Sequence, residues 1–435
     1  MTRREPSAVP PNDGKASTPM RKATISISAL VAAATLVLTG CGSDAGTGNT
    51  TSAAANSPAA GATTASETAT GETSTGAESS ASSAGSETSA SSAGSESSGA
   101  GVTGKVGVIL PDTTSSTRYT LYDAPLLTAA FKDAGVEADV QNAGGSTAKY
   151  TTIAQSMIGA GVKVLIMDSI DPTSGAAVEA MAKKAGIQVI DYDRVNLGGS
   201  ADYYVSFDNE LVGKLQGQTL VTCLADAKIT DPQIIEMDGG TDVDNNAVLF
   251  KSGAQSVLKP LQDQGKLKIV SDSVVKGWNV NEAAPTFTQA LTANGNKVDG
   301  VLAANDDIAN AVIGVLKAKG LAGKVQVTGQ DSGVVGLQNI LNGNQCMTVF
   351  KNVKLEAEAA SKLAIALIKG EDPAAAGIKV ASFDDPKGKR TMKAVLLTPQ
   401  VITIKNVQDV VTAGALTAAQ ICKGIEAKCT AAGVK

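Results

Sequence analysis

From Lys105 onward, short aliphatic and β-branched runs alternate with longer amphipathic segments. Strands are predicted at Val106 to Leu110, Val162 to Met167, Ile187 to Asp191, Ile234 to Met237, Lys268 to Val270, Val298 to Ala303 and Val325 to Gly329. Helices are predicted between them, at Leu121 to Ala134, Ala148 to Ala160, Ser174 to Ala185, Glu210 to Leu224, Asn246 to Leu258, Glu282 to Ala293, Asp307 to Lys319 and Val334 to Asn342. Strands without polar alternation, interleaved with helices, are the mark of βαβ units and parallel sheets. The class is therefore α/β. Gly135, Gly186 and Gly320 fall where helices should end, because glycine accepts the left-handed backbone of a C-terminal cap. Residues 102 to 435 exceed the usual extent of one core, so two lobes are expected.

The chain before that region has a different pattern. Behind Arg21 and Lys22, the apolar stretch Ile25 to Leu38 is shorter than the ~20 residues of a membrane span and has the order of a secretory signal. It ends in Leu38-Thr39-Gly40-Cys41, which resembles the lipobox of bacterial lipoproteins; that resemblance implies cleavage before Cys41 and lipidation of its thiol. The preface Met1 to Pro19 is unusual for such a leader, and Met20 is an alternative start. Residues 42 to 101 hold no aromatic and no large aliphatic side chain. Nothing there can form a core, so a disordered tether is expected, with a root-mean-square span of ~45 Å.

Composition narrows the chemistry. The chain has no histidine, which removes Ser-His-Asp and Cys-His nucleophiles and imidazole zinc ligands. Hydrophobic residues make up 43% and charged residues 18%, enough for a buried core, and a net charge of −5 gives no footprint for nucleic acid. No cofactor is expected.

In open α/β sheets ligands sit beyond the carboxyl ends of the strands, and that is where the polar side chains of this chain gather. Val106 to Leu110 leads to Asp112, Arg118 and Tyr119, and Ile187 to Ile190 leads to Asp191, Asp193 and Arg194. Ile234 to Met237 leads to Asp238, Asp244 and Asn246, and the run from 268 to 275 leads to Trp278. The later strands lead to Asn305 and Asp306, to Gln330 and Asp331, and to Lys351. Planar Asp, Asn and Arg groups that bond hydroxyls in pairs, with an aromatic face for a ring's C–H side, are what a sugar requires. Each residue also has a plainer use. Asn246 and Asp306 suit helix caps as well as ligand contacts, Trp278 suits a core, Arg194 an ion pair and Lys351 a solvated surface.

These stretches resemble the type I periplasmic sugar-binding proteins of ABC transporters, most closely their D-xylose-binding branch. The carrying residues are Tyr192-Asp193-Arg194, Tyr204 to Glu210, Gly239-Gly240 with Val243 to Ala247, Gly277-Trp278, Ala290 to Asn294, Asn305-Asp306, Thr328 to Asp331 and Met347 to Lys351. The resemblance implies two Rossmann-like lobes joined by a three-stranded hinge, one monosaccharide bound between them, an ABC permease as partner, and a monomer. It implies an N-terminal lobe of 102–207 plus about 351–395 and a C-terminal lobe of 208–350 plus about 396–435. It makes Arg118, Tyr119, Asp193 and Arg194 the ligand contacts of the first lobe, and Asn246, Trp278, Asn305, Asp331 and Lys351 those of the second. Asp244 is expected to support them. Two departures stand out: Tyr119 follows the first arginine where relatives tend to carry tryptophan, and Thr113 to Thr117 is a hydroxyl-rich loop where relatives are more charged.

With Cys41 assigned to lipid, four cysteines remain in an exported domain, where disulfides persist. In the implied fold the helix ending near Cys223 runs away from the cleft, and the strand after Cys346 runs toward it. Pairing of Cys223 with Cys346, and of Cys422 with Cys429, is therefore expected. Two other motifs lead nowhere. Asp242-x-Asp244-x-Asn246 begins like a calcium loop, but Ala247 replaces the required glycine and Gly253 the bidentate glutamate. Ser273-Val-Val-Lys276 lies in a β-branched run and reads as a strand end. The sequence thus points to a lipid-anchored, extracytoplasmic binder of D-xylose or a close relative. A sugar-sensing receptor, and a glycosidase using Asp193 and Asp331 as its carboxylate pair, stand as alternatives.

Overall fold

A computed structural model describes residues 104–435; Cys41, the apolar leader and the tether lie outside the described residues. In chain order the first elements are β1 (Lys105–Leu110), α1 (Ala124–Asp133), β2 (Glu137–Asn142), α2 (Thr147–Gly159), β3 (Val164–Met167), α3 (Pro172–Lys184), β4 (Gln188–Tyr192) and β5 (Tyr203–Phe207). Then come α4 (Asn209–Asp226), β6 (Gln233–Asp238), α5 (Asn245–Asp263), β7 (Lys268–Val274), α6 (Val280–Ala293), β8 (Gly300–Ala303), α7 (Asp306–Ala318), β9 (Gln326–Val327), α8 (Val334–Leu341) and β10 (Met347–Phe350). The chain closes with α9 (Val353–Lys369), β11 (Ala381–Asp385), β12 (Arg390–Leu397), β13 (Gln400–Thr403) and the short helices α10 (Gln408–Thr412), α11 (Ala418–Cys422) and α12 (Glu426–Ala431).

One lobe is a seven-stranded sheet in the order β11-β12-β5-β4-β3-β1-β2, parallel except for the β11–β12 hairpin. Its central strands are buried on both faces. Val106, Val108 and Leu110 face Leu127 and Phe131 of α1 and Ala360 and Leu363 of α9. Ile109, Leu165 and Met167 face Tyr150 and Met157 of α2 and Val178 of α3. The second lobe has a parallel sheet β7-β6-β8-β9 and an antiparallel pair β10-β13. Its core joins Val212 of α4, Phe250 of α5, Phe287 of α6 and Val312 of α7. Helices α4 and α5 touch backbone to backbone, since a methyl on Gly213 or Gly253 would overlap the carbonyl of Phe250 or Glu210. The chain crosses between lobes between β5 and α4, between β10 and α9, and between β12 and β13. The architecture is that of two Rossmann-like α/β lobes.

Several elements differ from the sequence pattern for identifiable reasons. The helix expected from Leu121 is preceded by a π-helical turn, Tyr119–Asp123, with Pro125 in the first turn of α1. Strand β9 stops at Val327 because the next residues bend toward β10, where Gln330 bridges Val349 and the Asp331 N–H donates to the Val349 carbonyl at 2.8 Å. Strand β2 has no fully buried residue; as a polar edge strand it leaves no apolar run to read. Cys223 is joined to Cys346 and Cys422 to Cys429, with Cα separations of 6.5 and 5.7 Å.

Candidate functional site

Nine residues singled out in the sequence, Arg118, Tyr119, Asp193, Arg194, Asn246, Trp278, Asn305, Asp331 and Lys351, line one narrow cavity between the lobes, in which about 20 Å³ is open to the centre of a water-sized sphere. Ser115, Ser116, Asp244, Phe250 and Gln330 complete the wall. Phe250 lies one helical turn after Asn246 on α5, and that i, i+4 spacing is the signal that places it on the same face. Gln330 adjoins Asp331 in the bend after β9.

Arg118 is the fixed point of the first lobe. Its Nε and NH2 donate to Asp123 at 2.9 and 2.7 Å, its NH1 to Asp193 at 2.9 Å and its NH2 to Glu356 of α9 at 2.5 Å. The Tyr119 hydroxyl donates to the other oxygen of Asp193 at 2.8 Å, and the Arg118 and Arg194 guanidinium groups lie 5.6 and 5.5 Å from the Tyr119 ring centre. Burial opposes ionisation of Asp193, but Arg118, Lys351 and Arg194 outweigh it and hold the carboxyl well below the usual carboxylate range. Asp193 sits after β4 in left-handed backbone, φ 57°. Its carbonyl accepts from Tyr204 at 3.1 Å, Ser206 at 2.9 Å and the Asn246 amide at 2.7 Å.

Asn246 therefore spans the lobes. Its Oδ1 accepts from the Tyr204 hydroxyl and from Asn209, both at 2.9 Å, while its amide donates to Asp193. Asn305 lines the cavity and also caps α7, accepting from the Ile308 N–H at 2.9 Å. The Trp278 indole N–H donates to Asp244 at 3.1 Å and its ring meets Phe250 edge to face, with centroids 6.3 Å apart. Behind that ring lie Gly239 and Gly240, where a Cβ would strike the indole. Here glycine is needed for close approach. The motif rejected for calcium is used structurally: Asp242 accepts from the Gly277 N–H, and Asp244 caps α5 and anchors the indole. Ser273 lies on β7, beside Ser271 at 3.1 Å. Glu236, Asp238 and Asp272 form a carboxylate group elsewhere in the lobe, and the Lys251 ammonium sits among them, 2.7 Å from Asp238 and 2.6 Å from Asp272.

The ion pairs of the site fall into two kinds. Those of Arg118 are tight, 2.5 to 2.9 Å. Those of Arg194 and Lys351 are stretched: Arg194 Nε lies 3.8 Å from Asp168 and 3.6 Å from Asp244, and Lys351 Nζ lies 3.4 Å from Asp331 and 3.8 Å from Asp193. Arg194 Nε and Asp331 Oδ1 are buried without a hydrogen-bond partner. A charge-assisted bond closes to ~2.8 Å, so the stretched pairs leave room for bridging oxygens. The lining carries three cations, Arg118, Arg194 and Lys351, and three carboxylates, Asp193, Asp244 and Asp331. A balanced wall suits a neutral polyhydroxylated ligand better than an amino sugar or a sugar acid. The alternative in which Asp193 and Asp331 act as a hydrolytic pair fails at Asp193, whose oxygens are committed to Arg118 and Tyr119.

Buried carboxyls around the site predict a pH dependence. Burial pushes Asp306 up to about 8 and, against the pull of the Lys251 ammonium, Asp238 up to about 7. The folded protein thus holds protons that the unfolded chain releases above ~4 to 4.5, so stability falls progressively from there until the raised values near 7 to 8 are passed. The melting temperature is expected to be several degrees higher at pH 5.5 than at pH 8.5; an unchanged or rising value in calorimetry would contradict these assignments.

The fold and cavity define a two-lobed solute binder, and the comparisons agree. The periplasmic binding protein domain model matches residues 106–372. The chain belongs to the type I periplasmic sugar-binding proteins, which are solute binders and not enzymes. It is 38% identical over 277 residues to the D-xylose-binding periplasmic protein of Escherichia coli (strain K12), covering 64% of this chain and 80% of that one. It is 33% identical over 324 residues to the multiple sugar-binding periplasmic receptor ChvE of Rhizobium radiobacter, covering 72% and 90%. Among solved structures it is similar to an ABC transporter solute binding protein from Clostridium phytofermentans with bound β-D-glucose, at TM-score 0.65 and 31% identity, covering 73% of this chain and 99% of that one.

Proposed function

We propose that this protein is an extracytoplasmic lipoprotein that captures one neutral monosaccharide, D-xylose or a close relative, and delivers it to an ABC permease. The observation that carries the reading is the set of stretched ion pairs in a small, charge-balanced cavity shared by both lobes. A sugar whose hydroxyls bridge these pairs contacts both lobes at once. Only the closed form offers both sets of contacts, so binding favours closure, and the closed shape is what a permease reads. Identity to the D-xylose-binding protein of Escherichia coli supports a pentose. A sensing role with broader sugar choice is the second reading, favoured by similarity to a relative named as a multiple sugar-binding receptor.

The sole tryptophan provides the test. Trp278 lines the cavity, so its emission should change with the correct sugar in a panel of D-xylose, D-glucose, D-ribose and L-arabinose. Trp278→Ala should weaken that sugar by roughly 5- to 30-fold in calorimetry, as expected for stacking worth ~1 to 2 kcal/mol. Silence across the panel would refute the reading. Anchoring is tested separately: Cys41→Ser should stop incorporation of labelled palmitate and release the protein from the membrane fraction, whereas continued labelling would overturn the lipid assignment.

A further inference from the structure

Asp168 follows β3, the strand Val164–Met167, and is fully buried, yet neither carboxylate oxygen has a hydrogen-bond partner. It faces Arg194, whose Nε is also unpartnered, at 3.8 Å. The remaining guanidinium nitrogens of Arg194 are engaged, with NH1 donating to the Ser169 carbonyl at 3.2 Å and NH2 to Ser115 at 2.9 Å. A buried carboxyl left unpaired bears its full desolvation cost, so a group that fills the gap offsets that cost. An oxygen ~2.8 Å from each atom fits a separation of 3.8 Å, as it does at the other stretched pairs. Burial accordingly raises the Asp168 carboxyl well above the usual carboxylate range, with Arg194 opposing. The hydroxyl of Tyr150 on α2, in the field of Asp168, is likewise buried and unpartnered.

We propose that Asp168 is a specificity-determining residue: together with Arg194 Nε it takes one hydroxyl of the bound sugar, which donates to the carboxylate while its oxygen accepts from the guanidinium. The inference rests on the sugar-binding reading and adds a recognition group from the first lobe beyond the nine residues read in the sequence. It also says how the site chooses among sugars, since an analogue lacking that hydroxyl leaves both atoms unpaired.

The test is a cycle of protein variants against deoxy sugars. Calorimetry on wild type, Asp168→Asn and Asp168→Ala would use D-xylose, D-glucose and the 1-, 2-, 3- and 4-deoxy analogues of xylose. For whichever parent sugar binds, Asp168→Ala should weaken affinity at least tenfold. For one deoxy analogue, and only one, the variants and wild type should bind within about twofold of each other. Weakening by the same factor for every analogue would mean that Asp168 acts only on the framework, and parent affinity unchanged in both variants would mean that it has no role; either overturns the proposal. If wild type binds no sugar, it is the sugar-binding reading that fails. Unfolding curves for the two variants separate lost recognition from lost fold.

Discussion

Arg118→Ala should unfold more readily than wild type by at least ~3 kcal/mol and should lose measurable sugar binding. The guanidinium is buried among Asp123, Asp193 and Glu356, with contacts of 2.5 to 2.9 Å. Removing one partner from a buried ionic group costs ~3 to 5 kcal/mol, because the charges left behind stay desolvated. Burial works against the guanidinium, but Asp123, Asp193 and Glu356 raise its pKa well above the ordinary value, so it stays charged throughout. Arg118→Lys should recover only part of the loss, since a single ammonium cannot span Asp123 bidentately and reach Asp193 and Glu356 as well. Urea unfolding of the three proteins is the measurement. A midpoint for Arg118→Ala equal to wild type would show that the carboxylates repack without it.

The opposite behaviour is expected one residue beyond Asp193. Arg194→Ala should keep the wild-type melting temperature within a few degrees while weakening the preferred sugar by roughly 30-fold to more than 1,000-fold, the equivalent of ~2 to 5 kcal/mol for a buried, hydrogen-bonded charge. Its Nε has no protein partner, and its carboxylate neighbours stand at 3.6 and 3.8 Å. Truncation gives up two hydrogen bonds, NH1 to the Ser169 carbonyl and NH2 to Ser115, but no tight ion pair, whereas the ligand loses a charged donor. Calorimetry and a melting curve on the same preparation decide it. A large drop in stability with affinity preserved would reverse the roles given to the tight and stretched pairs.

The periodicity of the chain was sufficient for the α/β class, for most strands and helices of the lobes, and for the idea that polar residues after strands converge. It was silent where burial is one-sided or absent. Strand β2 is an edge strand with no fully buried position, and strand β9 is cut to two residues by the bend toward β10. Helix α9 supplies Glu356 to Arg118 from 238 residues away in sequence, and no local pattern announces such a contact. Asn246 shows the same limit from the other side: its type and position fitted both a cap and a ligand contact, and the structure shows its amide tying the lobes together through the Asp193 carbonyl.

What the linear order of residues settled is which groups end up at the carboxyl ends of the strands, because side-chain alternation and strand direction follow from local backbone geometry. What only the three-dimensional arrangement decided is how far apart those groups stand. Arg118 and Arg194 are the same residue type in neighbouring parts of one cleft, yet one is clamped at 2.9 Å or less and the other faces its carboxylates across more than 3.5 Å. Those distances are set by how the sheets and lobes pack against each other. They separate a framework charge from one whose Nε is left without a protein partner.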